Sequence, residues 1–296
     1  MKPRVAIIGI GRWGKNLARE FNKVAEITAF CHNENPDNKA WLKKTFPNIP
    51  TKNYDNILKD KTTEAVIIAT PIKTHYKLTR KALLAGKDVF VEKTITDNIG
   101  QAQELVKIAK NKKRVLFVGH IFSYHPILAK LKRLNAVEPF EHADFTWNKL
   151  GTFNEEILFN LASHDIATAL ELFGKPTSIK ILENKGAITD SDIINLKLSF
   201  KNNTSSTIYI NRVSNFKNKS VTFASDKNVY LWENDSLFKL NKKTNSYKPA
   251  YGSKKTPLEI EASEFIRCLK QRKKPLTDGE FGLEVVKILT KINTTR

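Results

Sequence analysis

Val5-Ala6-Ile7-Ile8-Gly9-Ile10-Gly11-Arg12-Trp13-Gly14 is the stretch that decides the fold. Val5 to Ile8 is a continuous apolar run of β-type residues, as a buried parallel strand requires. Lys15 to Val24 then carries Leu17, Ala18, Phe21 and Val24 at helical spacing. Three glycines therefore sit where a strand hands over to a helix. Gly9 lets the chain turn tightly, Gly11 lets the backbone approach a pyrophosphate, and Gly14 lets the helix pack closely on the strand with its N-terminal amides aimed at phosphate. An isolated Gly-x-Gly-x-x-Gly carries little, but in this context it predicts a dinucleotide site at Gly9, Gly11, Arg12, Trp13 and Gly14.

Outward from that unit, strands and helices alternate over the first 120 residues. Glu26 to Cys31, Val66 to Ala69, Asp88 to Val91 and Val115 to Gly119 read as strands. Pro36 to Phe46, Thr74 to Ala85 and Asn98 to Asn111 read as helices. This alternation predicts an α/β fold with a doubly wound parallel sheet, whose ligands bind at the carboxyl ends of its strands. After Gly119 the pattern changes. Helices over Pro126 to Leu134 and Glu156 to Phe173 bracket a strand near Phe140 to Trp147. From Thr177 to Leu240 come β-rich segments at 193–200, 204–210, 220–224, 229–232 and 237–240, joined by Asn, Asp, Lys and Ser turns. A second domain with a large, mostly antiparallel sheet is expected, closed by helices from Pro257 onward. The predicted domains are 1–119 and 120–296, with the C-terminal helices able to pack back on the first.

With 41% hydrophobic and 9% aromatic residues the chain has enough apolar content for two cores, which excludes a disordered protein. The N-terminal apolar run is too short for a signal-peptide core and no stretch approaches a membrane span, so a cytoplasmic protein without a membrane partner is expected. Cys31 and Cys268 are far apart and form no metal-ligand spacing, which leaves two reduced thiols and no metal site. The formal charge of +20 is spread over most predicted helices instead of one stripe, and no nucleic-acid motif accompanies it. A solvated surface, not a nucleic-acid partner, is its expected meaning.

Chemistry-bearing residues fall at strand ends. Ala69-Thr70-Pro71-Ile72-Lys73-Thr74-His75 closes one strand and puts Thr70, Pro71 and His75 at a cofactor cleft. Val91-Glu92-Lys93-Thr94 closes the next and puts Glu92 and Lys93 beside its nicotinamide half. A lysine there can hold a substrate hydroxyl or assist proton transfer. Asn160 and His164, four apart in a predicted helix, share one face, and a histidine suits acid-base work near neutral pH. Taken alone, Lys93 reads as a surface lysine starting a loop and His164 as a packed helical histidine.

Together these segments resemble the Gfo/Idh/MocA oxidoreductases, the family of glucose-fructose oxidoreductase and inositol 2-dehydrogenase. The motifs that carry the resemblance are Gly9 to Gly14, Ala69-Thr70-Pro71 with Thr74-His75, Ala85 to Lys93, His164 within its helix, and Pro275-Leu276-Thr277-Asp278-Gly279, all in family order and spacing. The resemblance implies hydride transfer between NAD or NADP and a hydroxyl or keto carbon of a sugar or cyclitol. It also implies that Lys93 is the lysine of the Glu-Lys-Pro motif and His164 the acid-base histidine, and that the open sheet makes a homodimer or homotetramer. Trp13 to Leu17, Gly119 to Pro126 and Leu161 to Ile166 are most similar to the branch that oxidises UDP-N-acetyl sugars, and a cationic surface suits a diphosphate ligand. Three positions depart from the pattern. Thr94 replaces the motif's proline, and Asn160 replaces an aspartate and cannot titrate. His32 stands where the family usually has an acidic residue binding the adenosine ribose, so that His32, Asn33 and Arg12 leave NAD versus NADP open. Two other readings stay open: a dehydrogenase or reductase of a free sugar or inositol, and a catalytically silent NAD(P)-binding sensor or scaffold.

Overall fold

The computed structural model describes residues 1–33 and 35–294 and divides the chain into two compact units, the first comprising Met1–Ile121 with Leu258–Lys287. In the first unit the order is β1 (Arg4–Ile8), α1 (Arg12–Val24), β2 (Glu26–Cys31), α2 (Pro36–Thr45), α3 (Tyr54–Lys59), β3 (Ala65–Ile68), α4 (Ile72–Leu84), β4 (Asp88–Glu92), α5 (Ile99–Asn111) and β5 (Leu116–Gly119). The five strands pair in parallel in the order β2-β1-β3-β4-β5. The chain leaves β2 on one side of β1 and returns as β3 on the other, so the strand order reverses at β1 and β3 and opens a crevice at their carboxyl ends.

Helix boundaries follow local chemistry. Asn35, Asn53 and Asn98 cap α2, α3 and α5 by accepting from first-turn amides, Pro36 opens α2, and Gly86 at φ +76° follows the end of α4. On one face of the sheet, Val66, Ile68, Val89 and Val91 pack with Ala82 and Leu83 of α4 and Ala102 and Leu105 of α5. On the other, Phe21, Phe90 and Phe117 meet Phe265 of α8 (Pro257–Gln271), with ring centroids 5.0 to 5.8 Å apart. Arg272 then forks onto buried Asp88 at 2.6 and 3.1 Å. Thr277, just before α9 (Gly279–Asn293), exchanges hydrogen bonds with both backbone groups of Val118. These contacts tie the C-terminal segment to the first sheet.

The second unit comprises Phe122–Pro257 and the residues after Lys287. It holds α6 (Pro126–Val137), β6 (His142–Leu150), a π-helical turn (Leu158–Ala162), α7 (Ser163–Phe173), β7 (Ser178–Lys185), β8 (Ile193–Ser199), β9 (Ser205–Asn211), β10 (Val213–Ala224), β11 (Val229–Glu233), β12 (Ser236–Asn241) and β13 (Ser246–Gly252). Its eight strands run β13-β12-β11-β10-β6-β9-β8-β7 and are antiparallel apart from the β6/β9 pair. Burial alternates along β8 and β9, with Ile194, Leu196, Leu198, Ser206, Ile208 and Ile210 on the covered face. Arg212 is buried against Asp192 at 2.9 Å and donates to the Thr152 and Glu155 carbonyls, anchoring the loop that leads into the π-helical turn. Among the described residues no helix is long and apolar enough to cross a membrane.

Five elements differ from the sequence reading, each for a visible reason, one being edge strand β7, in which no residue is fully buried and no apolar row can be read. The expected helix from Glu156 begins as the π-helical turn and becomes α-helical only at Ser163. Strand β10 starts at Val213, ahead of the expected segment, and its first part is a mostly exposed stretch, irregular between Val213 and Asn218, that buries no alternating row. Edge strand β13 is exposed throughout, and α3 is only six residues long, so neither leaves a readable apolar period.

A Cβ on Gly14 would lie 2.0 Å from the Gly9 carbonyl oxygen, whereas one on Gly11 meets nothing within 4 Å. Gly14→Ala is therefore expected to lower unfolding free energy by about 1–3 kcal/mol, the range of overpacking, while Gly11→Ala, which changes only the N-cap of α1, lowers it by no more than about 1 kcal/mol. Urea denaturation followed by circular dichroism checks both, and equal losses would contradict this division of labour.

Candidate active site

The three glycines at the junction of β1 and α1 do different work. Gly9 sits at φ +93°, a conformation that favours glycine, and a Cβ there would meet the Ala69 carbonyl oxygen at 2.6 Å. Gly9 and Gly14 are thus demanded by the protein's own packing. Gly11 is not: its Cα faces open space while its carbonyl accepts from Lys15 to start α1. The first-turn amides of α1 have no partners within the helix, and no acidic side chain occupies that turn. An open cradle at a helix N-terminus, at the point where the strand order reverses, fits a dinucleotide pyrophosphate. Arg12 is exposed beside it. Beyond β2, the half-buried His32 turns its Nδ1 to the Asn33 carbonyl, and neither residue carries a carboxylate.

At the ends of β3 and β4 a second group assembles. Thr70 shares a 2.7 Å hydrogen bond with Thr74, and Pro71 precedes α4 as its cap residue. His75 is buried, with one ring nitrogen 2.7 Å from the Thr70 carbonyl and the other 2.7 Å from that of Thr94, so it clamps the two strand-end loops together. Burial holds its pKa below the usual value against those two carbonyls. Trp13 Nε1 donates to Glu92 Oε1 and the Lys93 amide donates to Oε2 at 3.2 Å, which joins the start of α1 to the end of β4. Lys93 itself is half-buried, and the Lys93–Thr94 peptide is cis.

Burial pushes the Glu92 carboxyl up to about 7 against the Trp13 hydrogen bond and the Lys93 charge. Glu261 of α8 is fully buried, neither of its oxygens has a hydrogen-bond partner among the described residues, and burial with the neighbouring Glu92 raises it far above the ordinary range. His120, directly after β5, is also buried with both ring nitrogens unpartnered among the described residues. Burial, with the Lys93 charge, lowers it to about 3 and keeps it neutral.

In the second unit Asn160 lies in the π-helical turn and His164 in the first turn of α7. Both are half-buried, while the three residues between them are buried. The imidazole of His164 meets two rings, Phe122 edge-on at 5.1 Å and Trp147 at 5.7 Å between centroids. Between those same rings sits the Lys219 ammonium, 3.9 Å from the Phe122 centroid and 3.6 Å from that of Trp147. Lys219 also pairs with Asp165 at 3.2 Å. Burial acts on both members, holding Asp165 above and Lys219 below its usual value, and each charge partly offsets that for its partner.

The first unit thus brings Gly9, Gly14, Trp13, Thr70, His75, Glu92 and Lys93 into one connected set, with His32 and Asn33 at the end of β2. Asn160 and His164 form a set of their own in the second unit. Sequence reasoning passed over His120, Glu261, Asp165 and Lys219, although each carried a signal. His120 follows a strand end, Glu261 stands one turn before core Phe265, and Lys219 precedes Val221 and Phe223 on the buried row of β10.

Residues 3–120 match the Gfo/Idh/MocA family model, described as an oxidoreductase family with an NAD-binding Rossmann fold. The chain is 26% identical over 219 residues to UDP-N-acetylglucosamine 3-dehydrogenase of Acidithiobacillus ferrooxidans, an alignment covering 71% of this chain and 67% of that one. It is 34% identical over 140 residues to the uncharacterised oxidoreductase YdgJ of Escherichia coli, covering 43% of this chain and 40% of the relative. A solved structure of the Acidithiobacillus enzyme, GnnA, superposes with a TM-score of 0.89 at 20% identity over 98% of this chain and 96% of that one, which establishes the shared fold.

Because folding favours the neutral forms of Glu92 and Glu261, the stability this preference gives is complete below about pH 4 and is lost as pH rises through about 7. Glu261→Gln, which cannot ionise, is expected to have the higher melting temperature at pH 8 and to lose that advantage toward pH 4. An advantage that grows on acidification would contradict the buried-carboxyl pair.

Proposed function

We propose that this protein is an NAD(P)-dependent dehydrogenase or reductase of a sugar, with a UDP-N-acetyl sugar as the leading substrate. The observation that carries the reading is the Gly11 cradle: a glycine that the fold itself does not require, set at the strand-order reversal beside the Glu92-Lys93 strand end. The 26% identity to a UDP-N-acetylglucosamine 3-dehydrogenase supports the substrate class. With no carboxylate on His32 or Asn33 and with Arg12 exposed, nothing on these three residues repels a 2′-phosphate, so NADP is accepted alongside NAD.

A bound nicotinamide supplies the acceptor for the hydride that leaves the carbinol carbon. Lys93 donates a hydrogen bond to the carbinol oxygen and stabilises its developing charge. His164 takes the hydroxyl proton as the carbon–oxygen double bond forms, and returns it in the reverse direction. Thr70, Pro71 and His75 set the loop that borders the cofactor, and Glu92 fixes the Lys93 backbone through its amide. Asn160, which cannot titrate, hydrogen-bonds substrate one turn before His164. We further propose that the chain works in the cytoplasm as a homodimer or homotetramer built on the large sheet.

Lys93→Ala and His164→Ala are each expected to lower kcat by about 10²- to 10⁴-fold, as for a lost acid-base group, with cofactor Kd changed little. Steady-state kinetics with UDP-N-acetylglucosamine and both cofactors check this. Full turnover in His164→Ala would remove the histidine from the mechanism, and wild type that binds cofactor tightly yet turns over no sugar would favour a silent sensor.

A further inference from the structure

Lys219 of β10 reverses the usual habit of a lysine, which lays its carbon stem along apolar surface and keeps its ammonium in water. The side chain is 23% exposed while Nζ is buried, so the stem meets solvent and the charge points inward. Inside, Nζ stands 3.9 Å from the centre of the Phe122 ring and 3.6 Å from that of Trp147, with Asp165 Oδ1 at 3.2 Å. Two ring faces and one carboxylate recover part of the cost of taking an ammonium out of water. Apolar side chains of similar volume would avoid that cost altogether, so stability alone does not account for this lysine.

The two rings that hold the ammonium are also the two that the His164 imidazole meets, Phe122 edge-on at 5.1 Å and Trp147 at 5.7 Å. The 3.9 and 5.1 Å steps through Phe122 keep Nζ within about 9 Å of the imidazole centre, and a charge that close and out of water is little screened by salt. A fixed cation disfavours a second positive charge on the imidazole, whereas Asp165, next in the chain, favours it. Further charges on the elements packed around His164 have partners of their own. Lys132 of α6 pairs with Glu171 and Arg212 with Asp192, while His125, stacked on Phe122, pairs with Asp235 at 3.2 Å. Burial holds His125 below its usual value despite that partner. We propose that Lys219 is a positioning residue for proton transfer: acting through Phe122 and Trp147 and balanced by Asp165, its ammonium sets the pH at which His164 exchanges the substrate proton. This rests on the reading of His164 given above as the acid-base group.

The test is an NMR titration of protein labelled with ¹³C in its histidine rings, with the His164 signal assigned by its loss in His164→Ala. In Lys219→Met the cation is gone, and the midpoint of the His164 titration is expected to rise by about 0.5–1 unit. In Asp165→Asn the two rings still hold the ammonium, and the midpoint is expected to fall by about as much. Melting temperatures establish that each variant is folded; if Lys219→Met is not, the fall in Asp165→Asn alone decides. Opposite shifts are the signature of charge, because a side chain that only packs would move the midpoint the same way in both variants or leave it in place. Unchanged midpoints, or shifts of one sign, overturn the proposal. The acid limb of kcat for oxidation of UDP-N-acetylglucosamine is expected to follow the same order, with Lys219→Met above wild type and Asp165→Asn below it. Midpoints that separate while the limb stays fixed fault His164 as the base and leave the charge coupling standing.

Discussion

Helix α1 lies on the end of β1 only because nothing projects from Gly14 toward the carbonyl of Gly9. From that one close approach much of the first unit follows. It aims the amides that open α1 at the carboxyl end of the sheet, where the strand order reverses, and it presses the Gly9 turn against Ala69 so that the loops after β1 and β3 share one edge. It also brings Trp13 onto Glu92 and so orders the strand end that presents Lys93. Gly11 is left facing open space. Two glycines serve the fold, and on the function proposed above the third serves a ligand.

The two units handle buried charge in opposite ways. In the first, Glu92 and Glu261 are buried together, and burial favours their neutral forms, which sets a carboxyl that titrates near neutrality directly against the Lys93 amide. In the second, Asp165 and Lys219 answer burial by pairing with each other, and the surrounding rings of Phe122 and Trp147 give the cation a further partner. Both arrangements cost stability that a purely apolar core would not, and such costs concentrate at functional sites.

Much of this was legible in the chain, because the signals are local. The glycine spacing, the continuous apolar runs of β1, β3 and β4, and the Gly86 stop each act within a few residues of themselves. The alternating rows of β8, β9 and β11 announce a half-covered sheet. What was not legible depends on partners distant in sequence. Glu261 is an unremarkable helix glutamate until its neighbour Glu92, far away in the chain, is known. Lys219 looks like one more lysine in a lysine-rich protein until register places it opposite Trp147 on the covered face. The π-helical turn carrying Asn160 has no period that separates it from the α-helix following it, and β13, exposed throughout, buries no row to read.

The central claim is that Gly11 exists for a dinucleotide and not for the fold. The most direct measurement is equilibrium titration of wild type and Gly11→Val with NADH and NADPH, followed by nicotinamide fluorescence, with the melting temperature of each protein recorded alongside. The account predicts that wild type binds at least one of the two, and that Gly11→Val weakens binding by about 100-fold or more, equivalent to about 2.7 kcal/mol, with its melting temperature nearly unchanged. Undiminished affinity in Gly11→Val would contradict it.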